Sequence, residues 1–580
     1  MKRVPIITAV AALAALVPAT AGSIAAAASH PASATYHVTR GSASRLAHAV
    51  STMRLHVVHE ALSSTQLRRL APFRSPAGAD PAAKATGAAI RAPKVTASAS
   101  LRLADAGALV LHNFNGLSQK DSQNFFGANS PITPPDQGLC AGRDATLPGD
   151  PQAVFEPINL ASRETTPNGT LLRPDVDGPT LYQDPFSTGD VRCLFDPSTQ
   201  TFFFTEIGFP VATGPASDDN NTTADVLVMN AHGVAAYQFD TSLGGPTAGD
   251  CFGDQPKVGF DSNALVISTD EFCNPTESNF EGAIAVVISK PQLVNEAATV
   301  NDAVLGPVSL AGDPVVGMDP AIGTGSGTEY LVNSVPFLAD GSNDAVGTTL
   351  GLWTLRNTLS VTTGIGRPTL TSQVLPSEPY GFPVSATSTG DGSTFSNPPF
   401  TITSENALNP DDSRISGPVS VSNGSGGIRL WTALDASLTP FGDSAVRDGA
   451  AWFEIDPARQ QVVNQGYVAA RGAYLLYPAI GVGAAGRNSM VFTVTSGTIN
   501  PSAAFTTLGS NTITTVAAGK APHQSFSDAP PFNQPRWGDY SFAVTDPNNG
   551  GVWLATEYIP PRAFQAVDDN WGTDVVEVSG

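Results

Sequence analysis

The densest cluster of chemically useful side chains lies near the C-terminus. Arg536-Trp537-Gly538-Asp539-Tyr540 sets a guanidinium, an indole, a carboxyl and a phenol within five residues, and Glu557 follows in Trp553-Leu-Ala-Thr-Glu557-Tyr558. Trp and Tyr could form a stacking wall, with Arg and Asp as polar specificity groups. The same residues suit a structural part, with Trp537 filling core between sheets while Arg536 and Asp539 pair or satisfy a turn. Arg536, Trp537, Asp539, Tyr540 and Glu557 are the candidate ligand-binding set, and no residue is assigned as catalytic.

Other chemistries find less support. Five of the eight histidines (His30, His37, His48, His56, His59) fall before residue 60, leaving His112, His232 and His523 far apart. That argues against a His-rich metal centre. No Gly-x-Ser-x-Gly elbow in suitable context points to a serine hydrolase. Acidic loops at Asp218-Asp219-Asn220-Asn221, Asn409-Pro-Asp411-Asp412 and Asp568-Asp569-Asn570 offer hard oxygens to calcium, but none has the full EF-hand spacing. No cofactor is expected; calcium is left open. Four cysteines form an even set, which in a secreted chain reads as disulfides. Cys140 and Cys193 are 53 residues apart, and Cys251 and Cys273 are 22 apart. These are the preferred pairs, one between neighbouring repeats and one within a hairpin, with Cys193–Cys251 as the competitor.

The elements that must position these groups are short strands. From about residue 108, runs such as Thr201-Phe-Phe-Phe-Thr205, Ala264-Leu-Val-Ile-Ser268 and Met490-Val-Phe-Thr-Val494 alternate with Gly, Asp, Asn and Pro clusters. One unit recurs: an apolar or Pro-led stretch with Gly or Phe-Asp, a turn, then a strand ending in Thr or Ser. It starts at Val191, Pro256, Pro320 and Pro478, with a looser copy at Tyr540 and weak ones near Val419 and Pro135. The first three starts are 65 and 64 residues apart, and the last two 62. The gap of 158 between Pro320 and Pro478 takes one weak copy and an insertion around 340–410. Such a period holds about four strands, which is one propeller blade, and stacking blades around an axis buries faces that no blade covers alone. The expected fold is all-β: a single β-propeller of six or seven four-stranded blades over 108–580. A tandem of β-sandwiches and a β-helix are the competitors.

Ahead of this body, Lys2 and Arg3 precede a short apolar run and Ala19-Thr20-Ala21, the pattern of a secretory signal peptide over 1–21. Residues 22–107 read as a low-complexity leader or pro-region, largely disordered, with helical periodicity between Ser44 and Leu70. Residues 1–105 hold 12 Lys and Arg against 3 Asp and Glu, and the remainder 18 against 48. An acidic body repels nucleic acid and anionic membrane, so neither is an expected partner, and no membrane span is seen.

Arg536-Trp-Gly-Asp-Tyr-Ser541, Thr545-Asp546-Pro547, Trp553–Tyr558, Pro135-Asp136, Asp254-Gln-Pro-Lys-Val-Gly-Phe-Asp261 and Tyr477-Pro-Ala-Ile-Gly481 resemble a signature of large secreted bacterial β-propeller proteins, loosely sialidase-like in architecture. The resemblance spans about 450 residues in scattered motifs and implies fold, not catalytic residues. A sialidase-like hydrolase needs an arginine cluster, a Tyr–Glu pair and an acid/base carboxyl. Arg414, Arg429, Arg471 and Arg536, with Tyr474, Tyr477, Tyr540 and Glu557, are the candidates. The repeated Ser-x-Asp-x-Gly-x-x-Trp turn is absent, and Thr389-Gly-Asp391-Gly-Ser-Thr-Phe395 lacks its spacing. The resulting expectation is a secreted, non-catalytic binding or cell-surface interaction protein with a glycan or protein ligand. The alternative is a sialidase-like glycoside hydrolase working at the axial mouth.

Overall fold

A computed structural model describes residues 37–44, 92–96, 99–103, 109–127, 132–182, 189–208, 222–241, 251–273, 279–335, 346–398, 400–424, 426–527 and 535–580. The signal-peptide pattern, the periodic stretch after Ser44 and the loop at Asp218–Asn221 lie outside them.

Seven antiparallel sheets follow one another along the chain, each with four strands of its own. Their inner strands are Cys140–Arg143, Gly189–Asp196, Cys251–Phe260, Asp319–Ile322, Val419–Gly424, Tyr474–Gly481 and Phe542–Thr545, taken in order as blades 1 to 7. Each inner strand packs against the next, and the seventh returns to the first, so the ring is closed. Parallel pairing stitches blades 3 to 5 at the axis, with Phe260 opposite Ile322 and Ala321 opposite Val419. Every copy of the sequence repeat, the two weak ones included, leads into or lies on one of these inner strands.

The fold is a seven-bladed propeller because its strands are apolar on both faces. All eight residues of Thr201–Gly208 are buried. Alternate side chains point to opposite sides of a sheet. In blade 3, Leu265 and Ile267 pack towards blade 2 with Phe203 and Val226, whereas Ala264 and Val266 pack towards blade 4 with Leu331 and Trp353. An apolar cluster fills each of the seven seams, including the one between blades 7 and 1 that holds Leu139, Val154, Trp553 and Val575. Glycine in the repeat has a local cause. A Cβ on Gly259 would sit 2.3 Å from the Ala321 carbonyl oxygen of the neighbouring inner strand. The repeat's aspartates close the following turn: Asp196 accepts from Ser198 N at 2.9 Å, and Asp261 from Asn263 N and Ala264 N at 2.7 Å.

Closure uses both ends of the body. Blade 7 takes Phe542–Thr545, Val552–Tyr558 and Gly572–Val578 from the C-terminus, and Val110–Ser118 as its outer strand. Parts of the 22–107 stretch are also placed on the body. His37–Ser44 adds an antiparallel strand outside blade 3, and Ser100–Leu103 a parallel one outside blade 6. Both preferred disulfides are formed: Cys140–Cys193 joins the inner strands of blades 1 and 2, and Cys251–Cys273 links facing residues of one hairpin in blade 3. Among the described residues no helix is long and apolar enough to cross a membrane.

Candidate active site at the axial mouth

Six of the inner strands carry a backbone kink. Asp136, Asp190, Gln255, Asp411, Tyr477 and Asp539 all take positive φ, between 46° and 78°, within or up to eight residues before the inner strands of blades 1, 2, 3, 5, 6 and 7. Only Asn, Asp and His visit this region at all readily outside glycine, and such strain persists where surrounding structure enforces it. The kinks turn polar side chains from five blades towards one another. Asp539 feels the charges of Asp411 and Asp190, Asp136 those of Asp539 and Asp190, and Tyr477 those of Asp539 and Asp411. Groups from blades 1, 2, 5, 6 and 7 can meet only at the axis.

The insertion between blades 4 and 5 completes this mouth. Its strand Thr394–Asn397 pairs with Phe400–Ser404, which in turn pairs with Gln524–Ser525 from the loop between blades 6 and 7. Asn409 N donates to the Pro535 carbonyl at 2.9 Å, and the Tyr477 hydroxyl reaches the Asn409 carbonyl at 3.2 Å. This docking brings Asp411, Asp412 and Arg414 beside Arg536. The Arg414 guanidinium grips Asp412, with Nη2 2.7 Å from Oδ2 and Nε 3.0 Å from both oxygens. Nη1 lies 3.2 Å from Gln255 Oε1 and 3.9 Å from an oxygen of Asp270, and Nη2 also lies 3.5 Å from an oxygen of Asp411. Arg536 donates to Asp539 through Nη2.

The carboxyls of the mouth are tuned apart. Burial pushes Asp539 up to about 6, against the pull of Arg536. Burial, then the neighbouring Asp190 and Asp270, hold Asp254 well above the usual carboxylate range, and its side chain shares a hydrogen bond with Asp190. Asp190 also accepts from Gln255 N at 3.3 Å. Asp411 is raised by burial and by Asp412. Asp190, Asp254, Asp411 and Asp539 keep partial exposure, as does Arg536, so these groups face solvent at the mouth.

Of the candidate set from sequence, Arg536 and Asp539 stand in the mouth. Trp537 does not: it is 1% exposed, packs edge-on against His523 at 5.0 Å and belongs to the core, which removes it as a stacking wall. Tyr540 is buried beneath the Arg192 guanidinium, which lies 3.3 Å above its ring centroid. Glu557 is buried and accepts the Gly538 backbone N–H at 2.7 Å, fixing the turn that carries Asp539. Arg414 and Tyr477 join the mouth. Arg429 pairs with Glu454 and Asp456 on blade 5, Arg471 is exposed elsewhere, and Tyr474 packs under Arg447. Asp190 and Arg192 were not singled out for chemistry, although both stand at the start of a repeat. A polar residue immediately ahead of five of the seven repeat starts, Asp190, Gln255, Asp319, Tyr477 and Asp539, was the available signal. Of the calcium loops, Asp411 and Asp412 face Arg414, while Asp568 and Asp569 receive hydrogen bonds from Gln123 and Ser525.

No protein-family model and no curated protein matches the chain. Solved structures do. An α-L-arabinanase from Penicillium chrysogenum, complexed with arabinobiose, shares 11% identity over 67% of this chain and 92% of its own, with a TM-score of 0.32. A β-xylosidase/α-arabinofuranosidase from a compost microbial metagenome, in calcium-free form with xylotriose, shares 9% over 56% and 91%, with a TM-score of 0.25. A Trypanosoma rangeli sialidase shares 11% over 65% and 53%, with a TM-score of 0.29. The expectation of a non-catalytic binding protein is corrected here. Solved structures similar to the chain include an arabinanase and a xylosidase/arabinofuranosidase, and the mouth presents partly exposed carboxyls that hold their protons unequally.

Proposed function

We propose that the protein is a secreted glycoside hydrolase whose active site is the axial mouth. The observation that carries this reading is the set of four partly exposed aspartates, Asp190, Asp254, Asp411 and Asp539, converging beside Arg414 and Arg536. Glycoside hydrolysis requires one carboxyl that delivers a proton to the leaving oxygen and another that works as a carboxylate at the anomeric carbon. Asp539 suits the first part, since burial holds its proton to about pH 6. Asp190 suits the second, because it accepts hydrogen bonds from Asp254 and from Gln255 N. Asp539 gives its proton to the glycosidic oxygen as the C1–O bond breaks. Asp190 supports the positive charge at C1 and takes the proton of the water that ends the reaction. Arg536 positions Asp539, and Arg414 holds the insertion in place. The signal-peptide pattern together with two formed disulfides supports work outside the cell.

The test is turnover on a panel of pentose- and hexose-based glycosides and polysaccharides, with Asp539→Asn and Asp190→Asn as controls. Hydrolysis by the native chain, lost in both variants without loss of fold, upholds the reading. A full panel without turnover by folded protein rejects it.

A further inference from the structure

The inner strands continue past the mouth, and two residues beyond the kinked Asp190 and Gln255 stand Arg192 and Lys257. Both are buried, at 3% and 2% exposure. Among the described residues, neither Nη1 nor Nη2 of Arg192 has a hydrogen-bond partner, and neither does Lys257 Nζ. Buried cations are ordinarily paired and hydrogen-bonded, because a charge taken out of water without a partner is strongly destabilising. The surroundings do not supply that pairing. The Arg192 guanidinium lies over the Tyr540 ring, with Cζ 3.3 Å from its centroid, a contact that takes up none of its N–H donors. An oxygen of Asp319 is 3.9 Å from Lys257 Nζ, too far for a hydrogen bond, and burial pushes that carboxyl up to about 7, which weakens it as a counter-charge. Gln255 N donates to Asp190 at 3.3 Å, so the two inner strands lie side by side there, and Arg192 and Lys257, each two residues further along on the same face, lie together and both act on Asp319. The other acids nearby are already engaged: Asp270 accepts from Gly317 N at 3.0 Å, and Asp190 from Gln255 N. Gly317 lies beside the ammonium, and a Cβ there would stand 3.2 Å from Lys257 Nζ.

We propose that Arg192 and Lys257 form an anion-binding site in the propeller axis, beneath the mouth, that takes a small anionic group through the Arg192 edge and the Lys257 ammonium. The group is halide-sized to phosphate-sized, either free in solution or borne on a sugar as a carboxylate. The site rests on the axial geometry and not on the hydrolase reading, and its test reads binding, not turnover. The full chain is titrated at constant ionic strength with bromide, with phosphate, and with glucuronate against glucose, and the unfolding midpoint is followed. Crystals soaked in bromide are measured at the bromine absorption edge. The expected result is a saturable rise of the midpoint and an anomalous peak between Arg192 and Lys257, with apparent affinity falling at least about tenfold in Lys257→Met or Arg192→Met. Saturation by the free ions, or by glucuronate where glucose gives none, upholds the site and identifies the source. Should both variants fail to fold, the wild-type anomalous map decides. No saturable response to any of the anions, with an empty map at the axis, overturns the proposal.

Discussion

The seams between blades and the mouth of the axis are built from the same strands and obey opposite rules. In the seams, side chains from facing sheets are apolar, fully buried and interchangeable in kind: Leu, Val, Ile, Phe and Trp353. At the mouth, Asp, Gln and Tyr stand on left-handed backbone beside arginines, and several carboxyls are buried enough to keep their protons. The seams stabilise the ring; the mouth draws on that stability to hold charges that would not assemble by themselves. A scaffold closed through seven apolar seams can tolerate strained, like-charged groups at one end.

This contrast breaks most visibly if the two regions are mutated in parallel. Asp539→Asn and Asp190→Asn should each lower turnover by about 100- to 10,000-fold, the usual range for removing a proton-transfer group, while the denaturation midpoint stays near that of wild type. Steady-state kinetics beside a urea titration checks both halves. Trp353→Ala should do the reverse. Trp353 is fully buried between blades 3 and 4, and its indole N–H donates to Asn333 Oδ1 at 2.8 Å. Truncation should cost about 3–5 kcal/mol in equilibrium unfolding. The folded fraction should keep native kcat. A Trp353→Ala protein that folds fully but has lost activity would show that seam and mouth are not separable.

The two regions also differed in how far sequence disclosed them. Seams are local patterns. Runs such as Thr201-Phe-Phe-Phe-Thr205, with a glycine or aspartate at a fixed remove, state that both faces of a strand are covered, and their recurrence gives the ring. The mouth is non-local. Asp136, Asp190, Asp254, Asp411 and Asp539 are spread over some 400 residues and become neighbours only when the ring closes. Asp190 sits in a plain Gly-Asp-Val, and nothing beside it in the chain announces its partners. Trp537 misled for the opposite reason. Its neighbours in sequence are polar, yet Ala386 and Leu408 of the insertion, with Ala521 and His523, pack over it. A single sequence shows local chemistry well and tertiary cover poorly.

Proton binding sharpens the comparison further. Burial raises Glu271 to about 8, and Glu156 and Asp319 to about 7. A carboxyl whose folded pKa exceeds its unfolded value gives stability that is complete below the unfolded pKa and is lost as pH rises through the folded one. Stability should therefore decline from about pH 5 to pH 8, by at most about 1.4 kcal/mol per pH unit for each titrating proton. Denaturant midpoints across that range test the sign. Glu271→Gln should flatten the slope. Activity should fall over a related window, as Asp539 loses its proton above about pH 6. An activity limb that moved with Glu271→Gln would tie the mouth to the blade interiors, against the separation argued above.

The smallest expected effect concerns Glu557, which sequence placed among ligand-binding groups. Its carboxyl is held well above the ordinary range, by burial first, and accepts the Gly538 N–H at 2.7 Å. Gly538 takes φ 74°, and a Cβ there would collide with the Tyr477 ring at 2.2 Å, so this turn is tightly specified. Glu557 is thus a positioning residue, acting on Asp539 through the backbone. Gln presents the same carbonyl oxygen to Gly538 and has no charge to bury. Glu557→Gln should keep stability within about 1 kcal/mol and retain most activity, whereas Glu557→Ala, which orphans a buried N–H, should cost about 1–3 kcal/mol and lower kcat by misplacing Asp539. The ratio between the two variants carries the information. A direct catalytic carboxylate would be abolished equally by Gln and Ala, with no change in unfolding, so equal loss of kcat in two stable variants would move Glu557 from the turn into the mouth.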